Sequence, residues 1–479
     1  MGGERGTVAF ISGKFNVLHP GHLRLFRFAR EVSDRLLVGV YGDHYSDERV
    51  LSEVERLESV LAISWVDDAF IIKDSLSDAI GRLKPDIVVK GKEYEGKFNV
   101  EEEIVRTYGG HIRFASGEAS FSSISLLMAE LDSESSNIKH ASEFLKRRGI
   151  TREKLRATLK RITSLRTLVV GDLIVDKYVD CQPIGMSSED PTIVVSPLLT
   201  QTFIGGAGIV AAHAASLGGS ASLVSVVGQD KAGLDAKELL ERFGVDLHIV
   251  EDPSRPTTVK TRYRAQNKTL LRVSDLRDHE IDLDTVRGVE DAISKAIDGV
   301  DLLVFSDFNY GVLSEQLISS ASEMARLRGI PIIADSQSSS QIGDVSKFKE
   351  VSLLTPTERE ARLAVKDKDS GLVKVVEKLV SETKAEHVII TLDSEGLFLH
   401  INEGGEQDWA DDRIPALNTK PVDVAGAGDA FLICAGLSIA AGGNIWMSAY
   451  IGAIASAHQV GRVGNLPLRH QDLLTELGQ

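Results

Sequence analysis

Cysteine is nearly absent from this chain of 479 residues, which contains only Cys181 and Cys434. The two lie far apart and neither belongs to a CxxC pair, so the sequence predicts neither a disulfide framework nor a zinc cluster. No stretch approaches the ~18 uninterrupted apolar residues of a membrane span, and the amino terminus lacks a basic segment followed by an apolar core. These absences predict a protein of the reducing cytoplasm.

Basic residues are also in deficit, with 54 Lys and Arg against 70 Asp and Glu and a formal net charge of -16. A chain of this charge repels the phosphate backbone of nucleic acids, and no basic cluster offsets it, so we expect no nucleic-acid partner. Small phosphorylated ligands are compatible with this charge, because a few nearby hydrogen-bond donors are enough to bind them. Apolar residues make up 43% and charged ones 26%, which is typical of a globular protein. The length predicts two or three domains.

Apolar, strand-like runs alternate with amphipathic segments from the amino terminus to about Leu131, and again from Leu168 onwards. This alternation is typical of βαβ units and parallel sheets. The segment 132–165 between them is polar and charged, lacks strand signals, and is predicted to be a helical linker. The sequence therefore predicts two α/β domains, at 1–131 and 166–479.

The stretch GKFNVLHPGH, residues 13–22, follows an apolar strand and precedes a helix-like segment. It places His19 and His22 at a strand-to-helix turn, where a helix amino terminus attracts phosphate and Gly21 lets the backbone come close. Phosphate binding is one interpretation. A metal site would need a third ligand, and an ordinary turn, in which one histidine caps the helix and the other packs, is the structural alternative.

The stretch PVDVAGAGDAF, residues 421–431, is a Gly-Ala-Gly turn that opens onto an apolar helix. Such a turn groups N–H donors into a nest for an anion and holds Asp429 beside it. Asp429 could accept the proton of a hydroxyl that attacks a γ-phosphorus. An ordinary helix cap is the alternative for the same residue.

The first of these stretches matches the G-x-F-[DN]-x-x-H-x-G-H signature of the cytidylyltransferase-like nucleotidyltransferase superfamily. With KPDIVVKGKEY at 84–94 and FSSIS at 121–125, the first domain resembles the adenylyltransferase half of the bacterial ADP-heptose synthases. The resemblance implies a Rossmann-like fold that uses ATP and magnesium. It assigns catalysis to His19 and His22, and nucleotide binding to Phe15, Asn16, Gly21, Asp43, Lys90, Gly91, Ser122 and Ser123. The closest branch has Asp at the position of Asn16.

The span from Leu168 to about Leu468 resembles the ribokinase-like (PfkB) carbohydrate kinases, and especially the heptose kinase half of the same synthases. The matching stretches are VVGDLIVDKY, IGGAGIVAAHAASLGG, SDFNYGVL, LLTPTERE, TLDSEG and DVAGAGDAF. The resemblance implies ATP and magnesium as co-substrate and cofactor, and a homodimer formed through the kinase domain. It makes Asp429 the catalytic base and places Gly426, Ala427 and Gly428 in the anion hole, Thr391 and Gly396 in the ATP turn, Asp176, Gly205 and Gly206 at the sugar, and Glu360 at magnesium.

Departures from the kinase pattern cluster where the sugar is expected. Ile209 replaces an Asn, Tyr310 a Lys, Gln337 the Lys of Asp-Pro-Lys, and Thr357 the Asn before Glu360, while Ile433 is bulkier than usual. Because these changes remove donors that could pair with a phosphorylated sugar, they predict an altered acceptor, such as a different sugar or one without a distal phosphate. A weakened or vestigial kinase is the alternative.

The domain order is the reverse of that in the familiar synthases, where the kinase comes first. Together the two resemblances predict a bifunctional enzyme that phosphorylates a sugar or sugar phosphate and transfers a nucleotidyl group from ATP to a sugar 1-phosphate, making ADP-heptose or a relative. The alternative is an active nucleotidyltransferase joined to a kinase domain that serves binding or regulation.

Overall fold

The computed structural model describes residues 6–15, 18, 20–45, 51–91, 99–115, 138, 140–265, 268–337, 343–402 and 409–478. The chain forms two compact units. The first comprises 1–135, 365–379 and 411–413, and the second comprises 136–364, 380–410 and 414–479. Both have α/β architecture, as the alternating pattern predicts.

The first unit is built around a five-stranded sheet of order β3-β2-β1-β4-β5. All of its paired strands are parallel. Because β2 and β4 flank β1 on opposite sides, the strand order reverses between β1 and β4, which is where ligands bind in open α/β sheets. Its elements are β1 (Val8–Gly13), α1 (Pro20–Glu31), β2 (Arg35–Tyr41), α2 (Glu53–Leu61), β3 (Asp68–Ile72), α3 (Leu76–Leu83), β4 (Ile87–Gly91), α4 (Val100–Arg106) and β5 (His111–Ala115).

The chain after β5 forms a nine-stranded sheet of order β10-β9-β6-β13-β14-β15-β16-β17-β18 and a four-stranded sheet of order β12-β11-β7-β8. The strands are β6 (Arg166–Gly171), β7 (Leu173–Met186), β8 (Ile193–Gly206), β9 (Ser220–Val227), β10 (Val245–Glu251), β11 (Val259–Ala265), β12 (Lys268–Asp275), β13 (Leu302–Asp307), β14 (Ile332–Ser336), β15 (Leu353–Leu354), β16 (His387–Thr391), β17 (Leu397–Asn402) and β18 (Trp409–Ile414). In the large sheet the strands from β10 to β16 are parallel, and β17 pairs antiparallel with β16.

Helices of this second part of the chain are α5 (Ser142–Arg147), α6 (Arg152–Ile162), α7 (Ala207–Ser216), α8 (Lys231–Arg242), α9 (Leu283–Ala296), α10 (Glu315–Arg326), α11 (Glu358–Ala364), α12 (Leu372–Thr383), α13 (Ala427–Ala440), α14 (Ile445–Val460) and α15 (His470–Gly478). The segment predicted as a helical linker contains α5 and α6. Their apolar residues Phe144, Leu155 and Leu159 lie in the same hydrophobic core as the buried helices α7, α13 and α14. The domain boundaries predicted from the sequence stay a prediction.

Side-chain caps start many of the helices. A side-chain oxygen of Ser52, Ser75, Thr151, Asp230, Asp282, Ser314 or Asn444 accepts a backbone N–H in the first turn of the helix that follows. Helices α7 and α13 begin differently, after Gly206 and Gly426, and neither glycine can cap by a side chain. Among the described residues, no helix is both long and apolar enough to cross a membrane.

Candidate functional site

The start of α13 holds Asp429, the residue expected to act as a base. Gly426, at the position before the helix, has φ +75°, and a Cβ there would overlap the amide oxygen of Asn465, so the turn requires glycine. The first N–H groups of an α-helix have no partner within the helix, and the amino end of the helix is positively polarised. Ala427 and Gly428 form the first turn with Asp429. The turn therefore has the form of an anion site with a carboxylate at its edge.

Burial sets the acidity of Asp429, whose side chain is only 4% exposed. Burial raises the pKa of Asp429 to about 7, the positive charge of Lys260 opposes this rise, and the negative charge of Asp176 adds to it. The side-chain amide of Gln337 donates a hydrogen bond of 3.2 Å to Asp429 Oδ1. A carboxylate with a pKa near neutrality is matched to accepting a proton at physiological pH.

The diglycine step at the end of β8 lies against β7. Gly205 faces Asp176, since a Cβ on Gly205 would lie 2.5 Å from Asp176 Oδ2. Gly206 has φ +58°, and a Cβ there would overlap the carbonyl oxygen of Asp172. Asp176 is buried and forms an ion pair with Arg262 of β11. The structure thus brings together Asp176, Gly205 and Gly206, which the resemblance placed at the sugar.

Three cations that sequence reasoning missed lie on β11. Lys260, Arg262 and Arg264 are spaced by two residues, so they share one face of the strand. The Arg262 and Arg264 guanidinium carbons lie 5.3 and 4.9 Å from the centre of the Tyr178 ring. The hydroxyl of Tyr178 donates to Asp423 Oδ2 at 3.0 Å. The alternating basic residues in VKTRYRA were a signal that could have revealed this face.

The residues that depart from the kinase pattern have different environments. Ile209 and Ile433 are fully buried in the hydrophobic core. Tyr310 is buried, its backbone N–H donates to Asp172 at 3.3 Å, and its hydroxyl has no hydrogen-bond partner among the described residues. Gln337 contacts Asp429 itself. Of these departures, Tyr310 and Gln337 therefore contribute buried or partly buried polar groups, and Gln337 places its amide at the expected base.

Thr357 caps α11 together with Glu360. The Thr357 backbone N–H donates to Glu360 Oε2 at 2.8 Å, and the Glu360 N–H donates to Thr357 Oγ1 at 3.2 Å. Thr357 also forms a parallel β-bridge with Thr391, at the end of β16, and Gly396 follows one turn later with φ +95°. The structure thus brings Thr391 close to the segment that carries Glu360.

Magnesium in kinases is held by one or two carboxylates, water and substrate phosphates rather than by a full protein cage. Glu360 is buried, with part of its carboxylate directed back to the backbone. No group of three or more candidate ligand side chains occurs in the part of the chain that the structure describes. A single carboxylate such as Glu360 therefore fits the kinase pattern and does not fit a stand-alone metal centre.

In the first unit, the described residues that were predicted to bind nucleotide lie in α1 or at and after the ends of β1, β2 and β4. Phe15 follows β1 and is buried, with its ring 5.1 Å from that of His22 in the first turn of α1. Asp43 follows β2. Lys90 and Gly91 end β4, and Lys90 Nζ pairs with Glu101 Oε1 at 2.7 Å. Gly21 lies in α1 beside His22, whereas Asn16, His19, Ser122 and Ser123 lie outside the described residues.

Arg56 is the residue of this unit that sequence reasoning missed. Its guanidinium is buried and donates to the carbonyl oxygens of Lys14 at 2.6 Å and Tyr41 at 2.9 Å. It also pairs with Asp43 Oδ1 at 2.7 Å. Arg56 therefore joins the loops that follow β1 and β2. Arg56 was not singled out from the sequence, because an Arg in a charged helix is usually solvated.

Family comparisons find two domains in the chain. Residues 10–141 match the cytidylyltransferase-like family, and residues 168–465 match the pfkB family of carbohydrate kinases. The first domain precedes the second, which confirms the reversed order predicted from the sequence. The two matches also confirm the predicted fold classes.

Curated relatives include the bifunctional protein HldE of Geobacter sulfurreducens, 31% identical over 332 residues, which are 68% of this chain and 66% of the relative. HldE of Desulfatibacillum aliphaticivorans is 32% identical over 320 residues, 66% of this chain and 63% of the relative. The chain thus aligns with slightly less than two thirds of the length of these relatives.

Among solved structures, phosphofructokinase-2 from Escherichia coli superposes with a TM-score of 0.54 at 18% identity, over 66% of this chain and 100% of that chain. Ribokinase from Arabidopsis thaliana gives a TM-score of 0.51 at 18% identity, over 66% of this chain and 99% of that chain. At these identities the likeness shows the fold alone. The match of the family model over most of the chain goes further, and with the geometry at Asp429 it shows that this chain belongs to the pfkB family of carbohydrate kinases and carries a cytidylyltransferase-like domain before the kinase domain.

Proposed function

We propose that the chain is a bifunctional enzyme that makes a nucleotide-activated sugar, ADP-heptose or a relative. The pfkB domain phosphorylates a sugar or sugar phosphate, and the cytidylyltransferase-like domain transfers an adenylyl group from ATP to a sugar 1-phosphate. The observation that carries the kinase half is Asp429, buried at an uncapped helix start with its pKa raised to about 7. The HldE relatives, which bear the name bifunctional, support the pairing of the two activities.

In the kinase step, the acceptor hydroxyl gives its proton to Asp429 while its oxygen forms a bond to the γ-phosphorus of ATP. The bond from the γ-phosphorus to the bridging oxygen breaks, and ADP leaves. The N–H groups at Gly426, Ala427 and Gly428 offset the charge that develops on the phosphoryl oxygens. Magnesium, held through Glu360, would neutralise charge on the ATP phosphates. Thr391 and Gly396 would bind the nucleotide, and Asp176 with Gly205 and Gly206 the acceptor.

In the nucleotidyl step, a phosphate oxygen of the sugar 1-phosphate attacks the α-phosphorus of ATP and pyrophosphate leaves. The nucleophile is already charged, so no general base is needed and positioning does most of the work. His19 and His22 would contact the triphosphate. The other residues implied in nucleotide binding are Phe15, Asn16, Gly21, Asp43, Lys90, Gly91, Ser122 and Ser123.

The cations of β11 bear on the acceptor of the kinase step. The sequence departures predict a sugar without a distal phosphate, but Lys260, Arg262 and Arg264 put three positive charges on one strand face. Asp176 and Asp423 lie near Arg262, and Asp429 lies near Lys260, so two of the three cations have acidic neighbours. The guanidinium of Arg264 contacts the Tyr178 ring, and the planar donors of a guanidinium match a phosphate, which favours an anionic acceptor. We therefore propose a sugar phosphate as the acceptor, and a neutral sugar as the second candidate.

Two further features of the proposal concern the setting of the enzyme. Cys181 and Cys434 are both buried and unpaired, which fits a reducing cytoplasm.

Apolar side chains are exposed on the four-stranded sheet, and they favour a homodimer formed through the kinase domain. These side chains are Ile184, Met186, Ile193, Leu198, Leu199 and Leu271. The mass of the protein in solution, measured by light scattering, tests the dimer.

The test of function measures phosphate transfer and pyrophosphate release with ATP or CTP and a panel of sugars, sugar phosphates and sugar 1-phosphates. The Asp429→Asn and His22→Ala variants are assayed beside the wild type. Two activities, each lost in one variant only, support the proposal and name the substrates. Pyrophosphate release without phosphate transfer would favour the alternative of a kinase domain that serves binding or regulation.

A further inference from the structure

Gln337 holds the carboxylate of Asp429 from a fixed position. It follows Ser336, the last residue of β14. Its backbone N–H donates to the Asp307 carbonyl at 2.8 Å, and its own carbonyl accepts from the side-chain amide of Asn309 at 3.1 Å. With the backbone fixed on both sides, the side-chain amide reaches Asp429 Oδ1 at 3.2 Å. The hydrogen bond therefore comes from an ordered donor.

Lys260 approaches the same place from β11. Its side chain is buried, and its ammonium lies 4.9 Å from the centre of the Phe308 ring and 5.2 Å from that of Tyr310. Asn309, which binds the Gln337 carbonyl, lies between these two aromatic residues in the chain. The loop 308–310 therefore contacts the Lys260 ammonium through its two aromatic rings and fixes Gln337 through Asn309.

Several charges act on Asp429. The charge of Asp176 of β7 raises the pKa of Asp429, although Asp176 is itself paired with Arg262 of β11. Asp335 of β14 is buried and is also hydrogen-bonded to the Gln337 side chain, and burial together with the charges of Glu360 and Asp429 raises the pKa of Asp335 well above its usual range. Two more carboxylates near a buried carboxylate disfavour its ionised form. Lys260 provides the opposing charge.

We propose that Gln337 is a positioning residue for phosphoryl transfer, whose amide engages one oxygen of the Asp429 carboxylate and leaves the other to take the acceptor proton, while Lys260 supplies the balancing positive charge. The proposal rests on the kinase function proposed above. An amide suits this position because it donates at every pH, whereas a carboxylate held by no donor can rotate away from the acceptor.

The test compares Gln337→Glu, Gln337→Ala, Lys260→Met and Lys260→Arg with wild type, using ATP and heptose 7-phosphate from pH 5.5 to 9.5. Matched controls on exposed helix positions are Gln316→Glu and Lys295→Met. Thermal melting of each variant reports folding. In Gln337→Glu a carboxylate replaces the donor, so the acidic limb of kcat moves to higher pH. A limb that moves from about pH 7 to about pH 8 lowers kcat at pH 6 by about tenfold.

Lys260→Met also moves the acidic limb of kcat to higher pH. Lys260→Arg keeps the positive charge and returns the limb most of the way to its wild-type position. Gln337→Ala lowers kcat by about tenfold or more while KM for the acceptor and for ATP stays within about twofold. A rise in KM with an unchanged acidic limb would mean that these side chains bind substrate, and would overturn the proposal. A fall in melting temperature with unchanged kcat and pH profile would also overturn it.

Failure of the inference is distinguishable from failure of the proposed function. If the wild type transfers phosphate and Asp429→Asn does not, but Gln337→Glu and Lys260→Met behave like the controls, only the positioning role is wrong. If wild type and Asp429→Asn are equally inactive on every sugar and sugar phosphate of the panel, or equally active on one of them, the kinase function at Asp429 is wrong, and the positioning role is wrong with it.

Discussion

Asp429→Asn should change both catalysis and stability, and the second effect follows from the acidity of the buried carboxyl. The variant keeps the size of the side chain and an oxygen that can accept the Gln337 hydrogen bond, but it can neither ionise nor take a proton. In the proposed mechanism Asp429 is the base, so phosphate transfer should fall by a factor on the order of 10²–10⁴. Pyrophosphate release should be unchanged.

The stability effect depends on pH with a definite sign. The folded-state pKa of Asp429 is about 7, against an ordinary value of 3.8. For a carboxyl whose pKa is raised in this way, the contribution to stability is fully present below the unfolded pKa and is lost as pH rises through the folded pKa. Each tenfold change in the acid dissociation constant is worth about 1.4 kcal/mol, so the loss totals about 4 kcal/mol. About half of it falls between about pH 5 and pH 7.

Asparagine does not ionise and avoids this loss. The free energy of unfolding of Asp429→Asn should therefore rise by about 2 kcal/mol relative to that of the wild type between about pH 5 and pH 7. Urea unfolding of both proteins at several pH values, followed by circular dichroism, measures the difference. A difference that stays constant across this range would refute the argument that Asp429 ionises in a buried, unfavourable site. The exposed Asp284→Asn serves as the control, because its side chain is solvated.

Further variants test the other contacts of the two sites. His22→Ala should lower pyrophosphate release by about 10²-fold or more and leave phosphate transfer intact. Arg56→Met should abolish ATP binding to the first unit, seen by calorimetry, and destabilise it by about 3 kcal/mol or more because Asp43 and two backbone carbonyls lose their shared donor. Arg262→Met should raise KM for a sugar phosphate more than for a neutral sugar, and equal changes would contradict an anionic acceptor. Glu360→Gln should raise the magnesium concentration needed for half-maximal phosphate transfer. An unchanged concentration would show that Glu360 does not hold the magnesium.

Sequence patterns by themselves determined the two α/β folds and the glycine turn that carries Asp429. Alternation of strand-like and helical segments fixes fold class because it reports which faces are buried, a local property of the chain. The glycine turn before Asp429 was also predictable from the sequence, since its glycines, the Asp and the apolar helix that follows are adjacent in the chain. Asp176 and the diglycine step were reached through resemblance, and their contact across β7 and β8 is what the structure adds.

Tertiary structure decided which distant side chains meet these residues. Gln337 in the sequence was only a departure from a pattern, and the alternating basic residues that include Lys260 do not indicate what they contact, because neither has a local signal for a contact with residues of other strands. Arg56 was hidden for the same reason: its partners Lys14, Tyr41 and Asp43 come from two loops brought together by parallel strand pairing. The chemistry of a buried carboxylate depends on the sum of the charges around it, and that sum exists only once the chain has folded.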